Sequence, residues 1–356
     1  MSETAVMICG HGSRDVDAVR EFDAMVAALR GRLPDLPVGS GFLEFARPII
    51  REGLDELKAK GAKRILALPA MLFAAGHVKN DLPWELNTWA AENPGIKVEF
   101  GRDLAIDLKL VEAAKQRIEE AEARAKRPAT REETLLVVVG RGTNDPDANS
   151  NVAKIARMLW EGMGFGWATV AYSGVAHPRT NACLARAVRL GFRRIVVFPY
   201  FLFNGILVKR IFEQTDEVAS LNGDVEFLKA DYLNAHPNVL DAFVDRLAEI
   251  DQGKNAMNCM VCKYRTQIVG YEADVGAVQA GHHLHVRGIG TDEDHGHHHH
   301  DHGHGHDHGH GHDHGHGHGH GHGHQHHGHG HAHGHDHGHA HHHPHGHTHM
   351  HPHKHK

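Results

Sequence analysis

Two histidines and a glutamate, His11, Glu44 and His77, are the residues of this chain whose types best suit chemistry. Two neutral imidazoles and a carboxylate make a site for a divalent first-row metal and leave coordination positions open for a second ligand. The chain carries its own control. Shifted by 130 residues, Cys9-Gly10-His11-Gly12 falls on Val139-Gly140-Arg141-Gly142, and Phe73 to Lys79 falls on Phe203 to Lys209. In the second copy Arg141, Gly174 and Leu207 stand where the first has His11, Glu44 and His77. The scaffold is doubled and the chemistry is confined to one copy. Taken singly, His77 reads as a loop histidine and Glu44 as a partner for Arg47; their joint loss from the duplicate favours the metal site.

The register holds through Pro48/Pro178, Leu54/Leu184, Gly61/Gly191, Arg64/Arg194 and Phe73/Phe203. Self-similarity at a fixed spacing marks a duplicated structural unit. In the first copy, apolar runs at 5–9, 38–43, 64–68 and 97–100 alternate with helical patterns such as 16–30 and 48–60. In the second, the strands recur at 134–139, 168–173, 194–198 and 224–228, with a slip of about three residues before the last. Such alternation predicts α/β architecture: two tandem homologous subdomains, each a four-stranded parallel sheet flanked by helices, over residues 1–127 and 131–250. His11, Glu44 and His77 all follow carboxyl ends of strands, where open parallel sheets bind their ligands.

The segments His11-Gly12-Ser13-Arg14, Phe42 to Pro48 and Gly76 to Pro83 resemble the CbiX-type sirohydrochlorin chelatases, in the long form with two fused chelatase halves. The resemblance spans residues 4–270. It implies an ATP-independent class II chelatase that inserts Co²⁺ into sirohydrochlorin for cobalamin synthesis, with an Fe²⁺ chelatase making sirohaem as the alternative and Ni²⁺ as a further substrate. No G-x-x-x-x-G-K-[ST] phosphate loop occurs in the chain. By resemblance His11 and His77 hold the metal, and one of them or Glu44 accepts a proton from the macrocycle. Both tasks need neutral imidazole, so activity is expected to fall as pH drops through roughly 6.5. Ser13, Arg14, Arg47 and Lys79 are expected to bind the carboxylates of the macrocycle. Arg141 either reaches a substrate carboxylate from across the cleft or fills the space left by a former ligand, and the sequence leans to the second.

Beyond Ile250 the pattern changes. Residues 251–290 contain Met257-Asn-Cys259-Met-Val-Cys262. Two thiolates so spaced can share a soft metal ion, form a redox disulfide or supply half the ligands of an iron–sulfur cluster; the resemblance favours a 4Fe-4S centre. Cys9 and Cys183 lie in apolar patterns and read as buried thiols, which suits a reducing cytosol. From His295 to His355, 34 histidines alternate mainly with glycine and aspartate. With almost nothing apolar to bury, residues 295–356 are expected to be disordered when metal-free and to store or deliver Co²⁺, Ni²⁺ or Zn²⁺. A metal-storage or chaperone protein is the reading of a different class, and in that case the tail carries the function.

The net charge is −6 with histidine neutral, and Lys and Arg form no stripe, so no nucleic-acid partner is expected. No apolar run reaches the length of a membrane span, and the start Met1-Ser-Glu-Thr has no signal-peptide character. The expectation is a cytoplasmic protein whose fused halves suffice as a monomer, or a homodimer if a cluster is shared.

Overall fold

The computed structural model of the chain describes residues 3–255 and Ala273. Runs dense in Val, Ile and Leu form the central strands, because β-branched and aliphatic side chains pack well on a pleated surface buried on both faces. In the first half these are β1 (Thr4–Gly10), β2 (Val38–Phe42), β3 (Arg64–Pro69) and β4 (Lys97–Phe100), all parallel in the order β2-β1-β3-β4. In the second half β5 (Thr134–Gly140), β6 (Trp167–Tyr172), β7 (Arg194–Pro199) and β8 (Glu226–Lys229) repeat the arrangement as β6-β5-β7-β8. The expected fold class is therefore the observed one.

The strand register carries the duplication. Ala5 pairs with Ile65 and Leu135 with Ile195, a constant shift of 130. Only at the edge does it slip: Arg64 pairs with Lys97, whereas Arg194 pairs with Glu226. The slip is thus one residue, not the expected three, because hydrogen-bond pairing fixes the alignment and the ends of an apolar run do not.

Helices α1 (Val16–Arg32), α2 (Ile50–Ala59), α3 (Leu82–Glu92) and α4 (Leu108–Glu122) cover the first sheet, and α5 (Pro146–Met163), α6 (Thr180–Ala187), α7 (Ile206–Ser220) and α8 (Pro237–Asp251) the second. Asp15 caps α1 and Asp145 caps α5, each carboxylate accepting the backbone N–H two residues on. The helices at α4 and α8, unremarked in the sequence reading, pack on one another across the halves.

Alternation along the strands assigns their two faces. Ala5, Met7 and Cys9 of β1 pack with Leu54, Leu57, Leu86 and Trp89 in a cluster of the first half alone. Leu135, Val137 and Val139 of β5 do the same with Leu184 and Ile211. The opposite faces, Val6 and Ile8 in one sheet and Leu136 and Val138 in the other, belong to one continuous core completed by α1, α4, α5 and α8. Each half shields its outer face alone, and the inner faces are buried jointly. Cys9 and Cys183 are buried free thiols, as the sequence indicated. Among the described residues, no helix is long and apolar enough to cross a membrane.

Candidate metal centre

β1 ends at Gly10, and the chain turns sharply through His11 and Gly12. Gly12 sits at φ +97°, and a Cβ there would lie 1.6 Å from the backbone oxygen of Glu44. Only glycine permits this contact. The two loops are tied together by the Glu44 N–H donating to the His11 carbonyl at 3.0 Å. A backbone constraint therefore places Glu44 beside His11.

The third residue arrives from the loop after β3. His77 opens a π-helical turn, His77–Asp81, that runs into α3; such turns are rare and gather at functional sites. Asp103, deeply buried just beyond β4, accepts the Ala74 N–H at 2.9 Å and so fixes the approach to His77.

Hydrogen bonding sets both tautomers. His11 Nδ1 lies 3.0 Å from the Gly12 carbonyl, which can only accept, so Nδ1 carries the proton and Nε2 keeps its lone pair. His77 Nδ1 lies 2.7 Å from Asp81 Oδ2 and donates to it, which leaves His77 Nε2 free in the same sense. Asp81 is itself buried and held by the Asn80 side-chain amide at 2.7 Å. A carboxylate behind a ligating imidazole orients the ring and raises its basicity.

The ligand atoms of His11, Glu44 and His77 all lie within 4.8 Å of one another. The imidazoles meet edge to face with centroids 4.6 Å apart, and His11 Nε2 stands 3.3 Å from Glu44 Oε1. His11 Nε2 is buried and has no hydrogen-bond partner among the described residues. An ion about 2.1 Å from each donor needs donors roughly 3–4 Å apart, so small side-chain movements suffice to close the trio on a metal.

Electrostatics keep the His11 lone pair available. Burial, reinforced by His77 and Arg141, pushes the His11 pKa down to about 3. The expected loss of activity through pH 6.5 is therefore not carried by His11, which keeps its lone pair well below that pH. Burial raises Glu44 above the ordinary carboxylate range, against the opposing pull of His77 and Arg141.

The other expected contacts divide. Ser13 Oγ accepts the Asp15 N–H at 3.0 Å and shapes the turn into α1. Arg14 is exposed, its guanidinium 4.8 Å from the centre of the Phe45 ring. Arg47 pairs with Glu52, not with Glu44, and lies on the surface. Lys79 is corrected: it is not open to a ligand but buried, 2.8 Å from Asp145 and 3.2 Å from Asp147 of the second half. A buried ammonium needs carboxylate partners, and these fix its direction. The sequence reading gave no role to Asp81 or Asp103. The expected 4Fe-4S ligands Cys259 and Cys262, and the histidines from His295 to His355, lie outside the described residues.

A profile of the CbiX family matches residues 5–121 and again 135–250. The chain belongs to the CbiX family. Its two CbiX repeats coincide with the two sheets, and the first repeat carries the trio. The sirohydrochlorin cobaltochelatase of Priestia megaterium is 34% identical over 267 residues, which is 74% of this chain and 86% of that protein. The sirohydrochlorin ferrochelatase of the same organism is 30% identical over 65% of this chain and 85% of its own length. Among solved structures, SirB from Bacillus subtilis with Fe³⁺ superposes with a TM-score of 0.63 at 26% identity, covering 72% of this CbiX chain and 99% of SirB.

Proposed function

We propose that the chain inserts a divalent metal, Co²⁺ in the cell, into sirohydrochlorin without ATP. The observation that carries this reading is the convergence of two imidazoles and one carboxylate on a single rim, within reach of one ion. Insertion exchanges two pyrrole N–H protons for one M²⁺, so the site must hold the ion and take up protons. His11 and His77 offer fixed lone pairs to the incoming ion. Glu44, whose carboxyl burial holds above the ordinary carboxylate range, is free to take a pyrrole proton while both imidazoles hold the ion. As ring nitrogens replace the protein ligands one by one, no step requires nucleotide hydrolysis.

Support for Co²⁺ comes from the relative named a cobaltochelatase, at 34% identity, against 30% for the one named a ferrochelatase. Imidazole and carboxylate bind both metals, so selectivity rests on supply as much as on affinity. Supply is the role we assign to the histidine tract at 295–356.

The test follows the absorption of sirohydrochlorin anaerobically as protein and Co²⁺, Fe²⁺ or Ni²⁺ are added in turn, beside a His11→Ala/His77→Ala variant. Accelerated insertion that the variant loses supports a chelatase and ranks its metals; no acceleration with any metal overturns the reading. Removing residues 295–356 separates enzyme from store: a chelatase keeps its turnover with metal in excess, whereas a storage protein loses its function.

A further inference from the structure

The second half has lost every ligand of the trio, yet its rim still faces the first. Asp145 and Asp147 reach Lys79, two residues beyond His77, and Arg141 opens the same loop. That loop is clamped as its counterpart is: Gly174 N–H donates to the Arg141 carbonyl at 2.9 Å, and a Cβ on Gly142 would lie 1.9 Å from the Gly174 oxygen. The backbone of Arg141 is thus fixed, in the position that the first half gives to His11.

Its side chain is partnered unlike four other arginines of the chain. Arg51, Arg102, Arg194 and Arg246 each hold a carboxylate at 2.7 to 2.9 Å. Among the described residues none is in ion-pair or hydrogen-bond contact with the Arg141 guanidinium; solvent reaches the side chain, yet burial by its surroundings lowers its pKa, with Glu44 opposing. It stands near enough to the trio to act on it: its charge reinforces the burial that lowers the His11 pKa and opposes the burial that raises that of Glu44. An unpaired cation beside a cation site repels the metal. Such a placement has a physical rationale when the second ligand to enter is an anion.

We propose that Arg141 is the second half's contribution to the site, binding a peripheral carboxylate of the tetrapyrrole and so seating the ring against His11, Glu44 and His77. This rests on the reading of the site as a sirohydrochlorin chelatase. The planar fork of a guanidinium takes a carboxylate in two parallel hydrogen bonds, which fixes orientation as well as position; an ammonium gives only a point charge. The duplicate therefore exchanged a metal ligand for an anion receptor, and the cleft became one-sided: metal from one wall, macrocycle carboxylate from the other.

The experiment is an equilibrium titration of the full chain with metal-free sirohydrochlorin, read by fluorescence, for the wild type, Arg141→Gln and Arg141→Lys. The same titration is repeated with the methyl-esterified macrocycle, and Co²⁺ affinity is measured alongside. Expected is a tenfold or greater rise in Kd for Arg141→Gln, partial recovery in Arg141→Lys, no change towards the esterified ring and no loss of Co²⁺ affinity. An unchanged Kd for sirohydrochlorin, or an equal loss towards the ester, overturns the proposal. Neither result depends on turnover, so failure here is distinct from a wild type that binds the ring and does not insert metal.

Discussion

Lys79 of the first half reaches Asp145 of the second at 2.8 Å, and the pair recurs with the halves exchanged, Lys209 meeting Asp15 at 2.7 Å. Asp147 and Asp17 complete the two clamps. The copies differ in depth: the Lys79 side chain is 2% exposed and that of Lys209 45%. Removing one member of a buried pair strands the other charge at a cost of about 3–5 kcal/mol, whereas an exposed pair contributes about 1 kcal/mol or less. Lys79→Ala is accordingly expected to lower unfolding free energy several times more than Lys209→Ala, as measured by urea denaturation.

Asp81 fixes the tautomer of His77 from behind. Asp81→Asn keeps the shape and replaces an acceptor of fixed charge with a neutral amide. The expected result is a 10–100-fold loss of metal affinity or insertion rate, the usual range for such an outer partner. The insertion rate followed by sirohydrochlorin absorption, with circular dichroism to verify folding, checks it.

Burial raises the Asp103 carboxyl from 3.8 to about 6. An acid whose folded pKa lies above its unfolded value binds protons more readily when folded, so it loses stability as pH rises through that window. The rise from pH 3.8 to about 6 removes on the order of 3 kcal/mol from this group, at about 1.4 kcal/mol per unit. Asp103→Asn still offers an oxygen to Ala74 N–H, and the difference in stability between variant and wild type is expected to grow in the variant's favour from pH 4 to 7. A difference that does not vary with pH would remove Asp103 from this account.

Two glycines give a contrast on one polypeptide. Gly12→Ala drives a methyl into the Glu44 carbonyl at a positive φ and is expected to destabilise the fold and abolish insertion. Gly31, in the exposed last turn of α1, has nothing within 4 Å of its would-be Cβ. Gly31→Ala is expected to raise stability by about 0.5–1 kcal/mol with activity intact, which thermal melts and the insertion assay resolve.

Much of this was legible in the residues. Strand periodicity and the 130-residue register located every strand to within about two residues, because buried parallel strands demand near-continuous apolar runs. The trio was legible because His11, Glu44 and His77 vanish together from the duplicate. The direction of a long side chain was not: Lys79 lies two residues from His77 in sequence and points into the neighbouring half. A signal was nonetheless there. Lys79, Asp15 and Asp17 are retained in the second copy as Lys209, Asp145 and Asp147. These retained pairs bridge the halves, whereas the dropped His11, Glu44 and His77 converge on one another within the first half. Arg141 fits neither class, since a substitution that creates a function has no counterpart to be compared with.

The inner faces of the two sheets are buried in one continuous core. A fold of that kind, assembled from two identical chains, would receive every substitution twice, and an arginine installed opposite the histidine would also delete the histidine. Joining the copies in one chain breaks that obligation. The packing surfaces stay locked to one another while the two rims diverge, so the covalent link between the halves is what permits an asymmetric site on a symmetric frame.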